Sequence, residues 1–330
     1  MSRVLVGDLG GTNTRLAIVS TDDGPRRWVA REDFRSRDHA SLEELVRAFL
    51  SRTELQVSKA TFGIAGPVVA GRASITNLPW VIDTVRLGTA CGLPLVTLVN
   101  DVQALAHALL VLGADDLHTL NPGEPVRGGA MAVIAPGTGL GEAFVIWDGR
   151  RYQACASEGG HADFAPRDSL QIELLAYLRS RFDHVSYERV CAGPGIPNIY
   201  GYLKEHGAAS EPRWLAEQLQ AAGDPTPVIV TAALQEAAPA LCRMALEMFV
   251  SILGAEAGNL ALKVLATGGI YLGGGIPRRI LPVLAGERFV AAFQRKGRLA
   301  QLLEHVPVHV ILNPDAGLIG AAVYGLDERS

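Results

Sequence analysis

The chain has 330 residues, 48% of them apolar, 19% charged and 6% aromatic, with a formal net charge of −4. That length supports about two domains with real cores, and the slight acid excess and scarcity of aromatic rings exclude nucleic acid as a main partner. The first apolar run, Val4-Leu5-Val6, is too short for a secretory h-region, and no apolar stretch nears the roughly 20 residues that span a bilayer. The expectation is therefore a cytoplasmic protein without a membrane partner. Cys91, Cys155, Cys191 and Cys242 are widely spaced, with no C-x-x-C pair, and read as free thiols rather than zinc ligands or disulfides.

In chain order, residues 3–19 read as strand, turn, strand around "GDLGGTNTR" (7–15). Residues 41–51 form a predicted helix opened by Ser41, with glutamates in its first turn. The run 61–67, apolar and closing on Gly66-Pro67, reads as a buried strand. Val96 to Val99 read as a strand that enters Asn100-Asp101, and Val102, Leu105, Ala106, Leu109 and Leu112 then fall at helical spacing. The polar, proline-bearing stretch "LNPGEPVRGG" (120–129) is the expected boundary region. Residues 130–147 repeat the form of 3–19, an apolar run, the turn "PGTGLG" and a second apolar run. That repetition points to two related domains.

A helix is predicted over 169–182, a peripheral excursion over 205–226, and a long apolar helix, buried on several sides, over about 238–263. Residues 264–275 read as a strand running into Gly273-Gly274-Gly275, and 308–312 as another strand. "NPDAGLIGAAVYG" reads as a small-residue helix returning to the first domain. Strands mixed with helices make an α/β protein.

No G-x-x-x-x-G-K-[ST] loop is present, and "GTGLG" (137–141) precedes a strand instead of a helix, which counts against a dinucleotide fingerprint. Two glycine-threonine turns remain, at 7–14 and 136–142. Glycine lets backbone N–H groups approach an anion closely. A carboxylate in such a turn, Asp8, would repel phosphate unless magnesium lay between them, an ion that takes carboxylate, water and phosphate oxygens together. Asn100-Asp101 pairs a donor-acceptor with a potential base at a strand end, although Asp101 also suits a helix N-cap. In "SEGGHADFAP" (157–166), Glu158 and His161 stand i, i+3, but Gly159 and Gly160 make a helix improbable. A rigid loop offering both to a polyhydroxylated ligand is the better reading. Glu188, at the start of a helical stretch, is explained on its own by the helix dipole.

Together, "LVGDLGGTNTRLAI", "VNDVQALA", "APGTGLG", "EGGHADFAP", "HVSYERVCAGPG", "LATGGIYLGGGIPR" and "NPDAGLIGAA" resemble, in this order and nearly end to end, the bacterial glucokinase family of the actin/sugar-kinase/Hsp70 superfamily. The resemblance implies two ribonuclease-H-like α/β domains flanking a cleft, a small one of 1–110 plus 312–330 and a large one of 111–311. It implies ATP-dependent phosphorylation of glucose to glucose 6-phosphate, the first step of glycolysis, by a cytoplasmic homodimer using Mg2+. Gly7, Asp8, Leu9, Gly10, Gly11 and Thr12 match the first phosphate loop, Gly137, Thr138 and Gly139 the second, and Gly273, Gly274 and Gly275 the turn along the adenosine. Asn100, Asp101, Glu158, His161 and Glu188 match the sugar-binding positions, with Asp101 as the base and Asp8 near the metal through water. The clustered cysteines of the zinc-bearing ROK branch have no counterpart here. A kinase for another hexose or with another donor shares every one of these motifs, and a sugar-sensing regulator is the alternative from another class.

Overall fold

In the computed structural model, which describes residues 2–75 and 78–327, the chain divides into two units. One runs to Asp116 and takes in Tyr152–Ala156 and the chain from Asn313 onward; the other holds Leu117–Arg151 and Ser157–Leu312.

The first unit opens with β1 (Arg3–Leu9) and β2 (Asn13–Ser20), a hairpin whose register sets Asp8 opposite Arg15. β3 (Ala30–Arg35) extends it antiparallel, and helix α1 (Leu42–Thr53) follows. Ser41 caps α1 by accepting from the Glu44 amide, and Leu42, Leu45, Val46 and Phe49 form its buried stripe at 3.6-residue spacing. β4 (Lys59–Ile64) runs parallel to β1. A small hairpin, β5 (Arg72–Ser74) and β6 (Val81–Asp83), precedes α2 (Thr84–Cys91), β7 (Val96–Asn100) and α3 (Asp101–Ala108). The five-stranded sheet has the order β3-β2-β1-β4-β7. Alternation along β1 and β2 buries both faces: Leu5, Leu9, Leu16 and Ile18 pack with Phe49 and Phe62, while Val4, Val6, Ala17 and Val19 turn the other way.

In the second unit, β8 (Leu117–Asn121) is followed by the hairpin of β9 (Met131–Pro136) and β10 (Leu140–Trp147). Strand β11 (Tyr152–Ser157) comes next in the chain, all but its last residue counted with the first unit. Five helices follow: α4 (Ser169–Arg179), α5 (Glu188–Cys191), α6 (Gly195–Glu205), α7 (Arg213–Ala221) and α8 (Thr226–Ala233). Of these, α5, α6 and α8 pack on α9 (Ala240–Val264), whose apolar residues are buried around nearly its whole circumference. β12 (Gly269–Leu272) pairs parallel with β9, four short helices α10 (Gly275–Arg279), α11 (Leu281–Leu284), α12 (Glu287–Gln294) and α13 (Ala300–Glu304) follow, and β13 (Val308–Ile311) pairs parallel with β12. The order β10-β9-β12-β13 thus repeats β2-β1-β4-β7 of the first unit, a hairpin continued by two parallel strands. The sequence-level likeness of 3–19 and 130–147 extends to topology.

The chain then returns to the first unit as α14 (Ala316–Leu326), whose Leu318, Ala321 and Ala322 cover the face of Val4, Val6, Ala17 and Val19. The excursion expected over 205–226 is less peripheral than its composition implies, because α7 plants Leu215, fully buried, in the second core. Among the described residues, no helix is long and apolar enough to cross a membrane.

Candidate active site

Three parallel strands of the first unit end at one edge, where open α/β sheets bind ligands. The register Leu9↔Ile64↔Asn100 aligns these ends, so the carboxylate-bearing ends of β1 and β7 lie two strand spacings, ~10 Å, apart. Asp8 is one residue short of its strand's end. Its Oδ2 accepts from Arg15 at 2.9 Å, and a quarter of its side chain remains exposed. Burial pushes the Asp8 carboxyl up, against the opposing pull of Arg15. Arg15, which sequence reasoning passed over, also approaches Asp33 at 3.7 Å and donates to the Pro314 carbonyl at 3.4 Å. Its signal was only its place opposite Asp8, visible once the hairpin register is known.

The first glycine-threonine turn is braced by Ser36. The Ser36 amide donates to Thr12 O at 3.0 Å, and its hydroxyl donates to Gly10 O at 2.8 Å. With those carbonyls engaged, the Gly11 and Thr12 N–H groups have no hydrogen-bond partner among the described residues. Thr12 is exposed beside them. Gly7 lies deeper, within β1, where a Cβ would come within 2.5 Å of the Phe62 ring; in the structure it is a packing residue.

At the β7–α3 junction, Asn100 is the N-cap, and Asp101 is the first helical residue. Asn100 Oδ1 accepts from the Val102 and Gln103 amides at 3.0 and 3.2 Å, and its Nδ2 donates to Gly66 O at 3.2 Å. One amide hydrogen is left for a ligand. Asp101 Oδ1 accepts from the Val102 amide at 2.9 Å, which fixes the carboxylate at the strand end. The alternative that Asp101 is itself the cap is thereby corrected. Asn100→Ala should lower stability by about 1 kcal/mol through loss of the cap, read as a fall in Tm.

The second unit assembles the remaining residues. Its glycine-threonine turn is closed by Gly137 N–H donating to Gly139 O at 2.8 Å, while Gly193 N–H donates to Gly137 O at 2.7 Å. Glu188, first in α5, accepts the Leu140 amide at 2.9 Å on Oε2. A Cβ on Gly139 would stand 2.5 Å from that oxygen, so glycine there makes room for the carboxylate. Gly274, at φ +85°, passes the Pro136 carbonyl, which brings Gly273–Gly275 beside the same turn. The stretch 158–161 holds a single 3-10 turn, Gly159–His161, not a helix. Glu158 and His161 are exposed on it with Oε2 and Nε2 4.0 Å apart. Tyr187 N–H donates to Ala162 O at 2.9 Å, tying this turn to the segment that carries Glu188. Asp8, Asn100 and Asp101 therefore stand on the first unit, and Glu158, His161 and Glu188 are brought together on the second.

A family model described as "Glucokinase" matches residues 5–328. The glucokinase of Nostoc punctiforme is 42% identical over 98% of this chain and 98% of its own length. The chain belongs to the glucokinase family. Among solved structures, a glucokinase from an Antarctic psychrotroph superposes with a TM-score of 0.83 at 31% identity, covering 98% of this chain and 99% of its own. A ROK family glucokinase of Streptomyces griseus, solved with glucose and AMPPNP, gives a TM-score of 0.62 at 21% identity, covering 98% and 99%. The glucokinase-family chain thus has the actin-like two-domain α/β fold expected from its motifs, and as a member of that family it is an enzyme, a hexose kinase. Its two repeated hairpins, β1–β2 and β9–β10, are each closed by a glycine-threonine turn.

Proposed function

We propose that Asp101 is the base in the ATP-dependent phosphorylation of glucose that this family carries out. It accepts the proton of the sugar 6-hydroxyl while that oxygen attacks the γ-phosphorus of ATP. The new O6–P bond forms as the bond from the γ-phosphorus to the β–γ bridging oxygen breaks, and ADP leaves with that electron pair. Phosphoryl transfer asks little covalent help of a protein, so alignment and charge stabilisation dominate. What supports Asp101 is its setting: a carboxylate at the end of a parallel strand, anchored on the Val102 amide at 2.9 Å.

Other residues take supporting roles in this reading. The spare amide hydrogen of Asn100, with Glu158, His161 and Glu188, fixes the ring hydroxyls, and a carboxylate so used discriminates against sugars lacking them. Gly11 and Thr12 on one unit and Thr138 and Gly139 on the other hold phosphate oxygens through backbone N–H groups, Gly10 and Gly137 close the turns by donating to Asn13 O and Gly139 O, and Gly273–Gly275 lie along the adenosine. The Asp8 environment fits magnesium: Arg15 takes Oδ2, and Oδ1 on a partly exposed carboxylate suits a metal-bound water. When bound, that ion offsets the charge of the phosphates. A cytoplasmic homodimer acting at the first step of glycolysis completes the reading, on the strength of family membership.

The test is a coupled assay over glucose, mannose and fructose with ATP, ADP or polyphosphate as donor, with and without magnesium. Glucose with ATP and magnesium should give the highest kcat/KM, and omission of magnesium should abolish turnover. A higher kcat/KM with another hexose or donor would displace the substrate assignment.

A further inference from the structure

Glu142 has no part in the chemistry just described, yet it is a carboxylate in an otherwise apolar strand. It is 2% exposed, and its Oε1 has no hydrogen-bond partner among the described residues. Buried polar oxygens are nearly always satisfied, so this one calls for a reason. Its headgroup lies directly beneath the turn that carries Glu158 and His161: a Cβ on Gly159 would overlap Glu142 Oε2. Gly159 has no left-handed φ, so the overlap and not the backbone is what demands glycine there. Two residues earlier on the same strand, Leu140 repeats the arrangement, since a Cβ on Gly160 would overlap the Leu140 carbonyl. The Leu140 N–H is the group that holds Glu188. One short stretch of β10 therefore supports every sugar-side residue of the second unit.

We infer that Glu142 is a positioning residue for sugar binding, setting the height of the Gly159–His161 turn and hence of Glu158 and His161. The inference rests on the reading of Glu158 and His161 as sugar contacts. Around Glu142 stand Glu256 and Lys263 of α9 and the Cys191 thiol of α5. Burial pushes its carboxyl up to about 7, Glu256 adds to the push and Lys263 opposes it. A neutral glutamine of the same length is accordingly a close mimic of the protonated acid.

The experiment is steady-state kinetics of the full chain with glucose and ATP for Glu142→Gln, Glu142→Ala, Gly159→Ala and the double variant Glu142→Ala/Gly159→Ala, with thermal melts to confirm folding. Gly159→Ala should raise the glucose KM about tenfold or more, with a smaller change in kcat and none in the KM for ATP. Shortening Glu142 makes room for the new methyl, so the double variant should bind glucose better than Gly159→Ala alone, a coupling that independent sites do not show. Glu142→Gln should stay within about twofold of the parent. Glu158→Ala serves as the control on the underlying reading. If it raises the glucose KM but the Glu142 and Gly159 effects simply multiply, the positioning role is overturned alone. An unchanged glucose KM in Glu158→Ala overturns the sugar-contact reading and the positioning role with it.

Discussion

Asp101→Asn should lower kcat for glucose phosphorylation by about 10²–10⁴-fold, the usual share of a positioned general base. Asparagine keeps the size of the side chain and the oxygen that accepts the Val102 amide at 2.9 Å, so α3 should begin as before. Asn100, the actual N-cap, is untouched. The glucose KM should change far less than kcat, because the loss falls on the transition state in which the proton moves. Unaltered melting with collapsed turnover would separate chemistry from folding. Wild-type turnover in Asp101→Asn would remove the base assignment and return Asp101 to a helix-opening residue.

Asp8→Ala should lower kcat by about 10²-fold or more, the scale on which one lost electrostatic contact to developing charge is felt. The magnesium concentration needed for half-maximal rate should rise as well. Folding should suffer little. The Asp8–Arg15 pair is partly exposed, with side chains 25% and 28% accessible, and such pairs contribute about 0–1 kcal/mol. Arg15 also keeps Asp33 and the Pro314 carbonyl. Burial already pushes the Asp8 carboxyl up, so removing it also relieves a desolvation cost. A magnesium titration curve that does not move would take Asp8 out of the metal's surroundings.

These two carboxylates show how far the sequence could be read. Glycines closing apolar runs marked both hairpins, and a strand ending in Asn-Asp marked the junction where Asp101 stands. The sequence reading offered Asp101 as a helix N-cap; the geometry gives that role to Asn100, one residue earlier and of a type that caps equally well. Glu188 looked like simple dipole support until the fold set it against the Leu140 amide, 48 residues away in the chain. No local pattern encodes that contact, although Gly139 is its footprint. Arg15 and Glu142 were overlooked for the same reason, each meaningful only through a partner fixed by strand register or packing. The short strands β5, β6 and β8 carry no long apolar run, and α7 hides one buried leucine in a polar sequence, so neither announced itself by periodicity.

The most direct test of the whole account is to mix the purified chain with glucose, ATP and magnesium and follow sugar phosphate and ADP together. Glucose 6-phosphate and ADP should appear in equal amounts, with negligible ADP release when glucose is left out. Thermal stabilisation by glucose without either product, the behaviour of a sugar-sensing regulator, would contradict it.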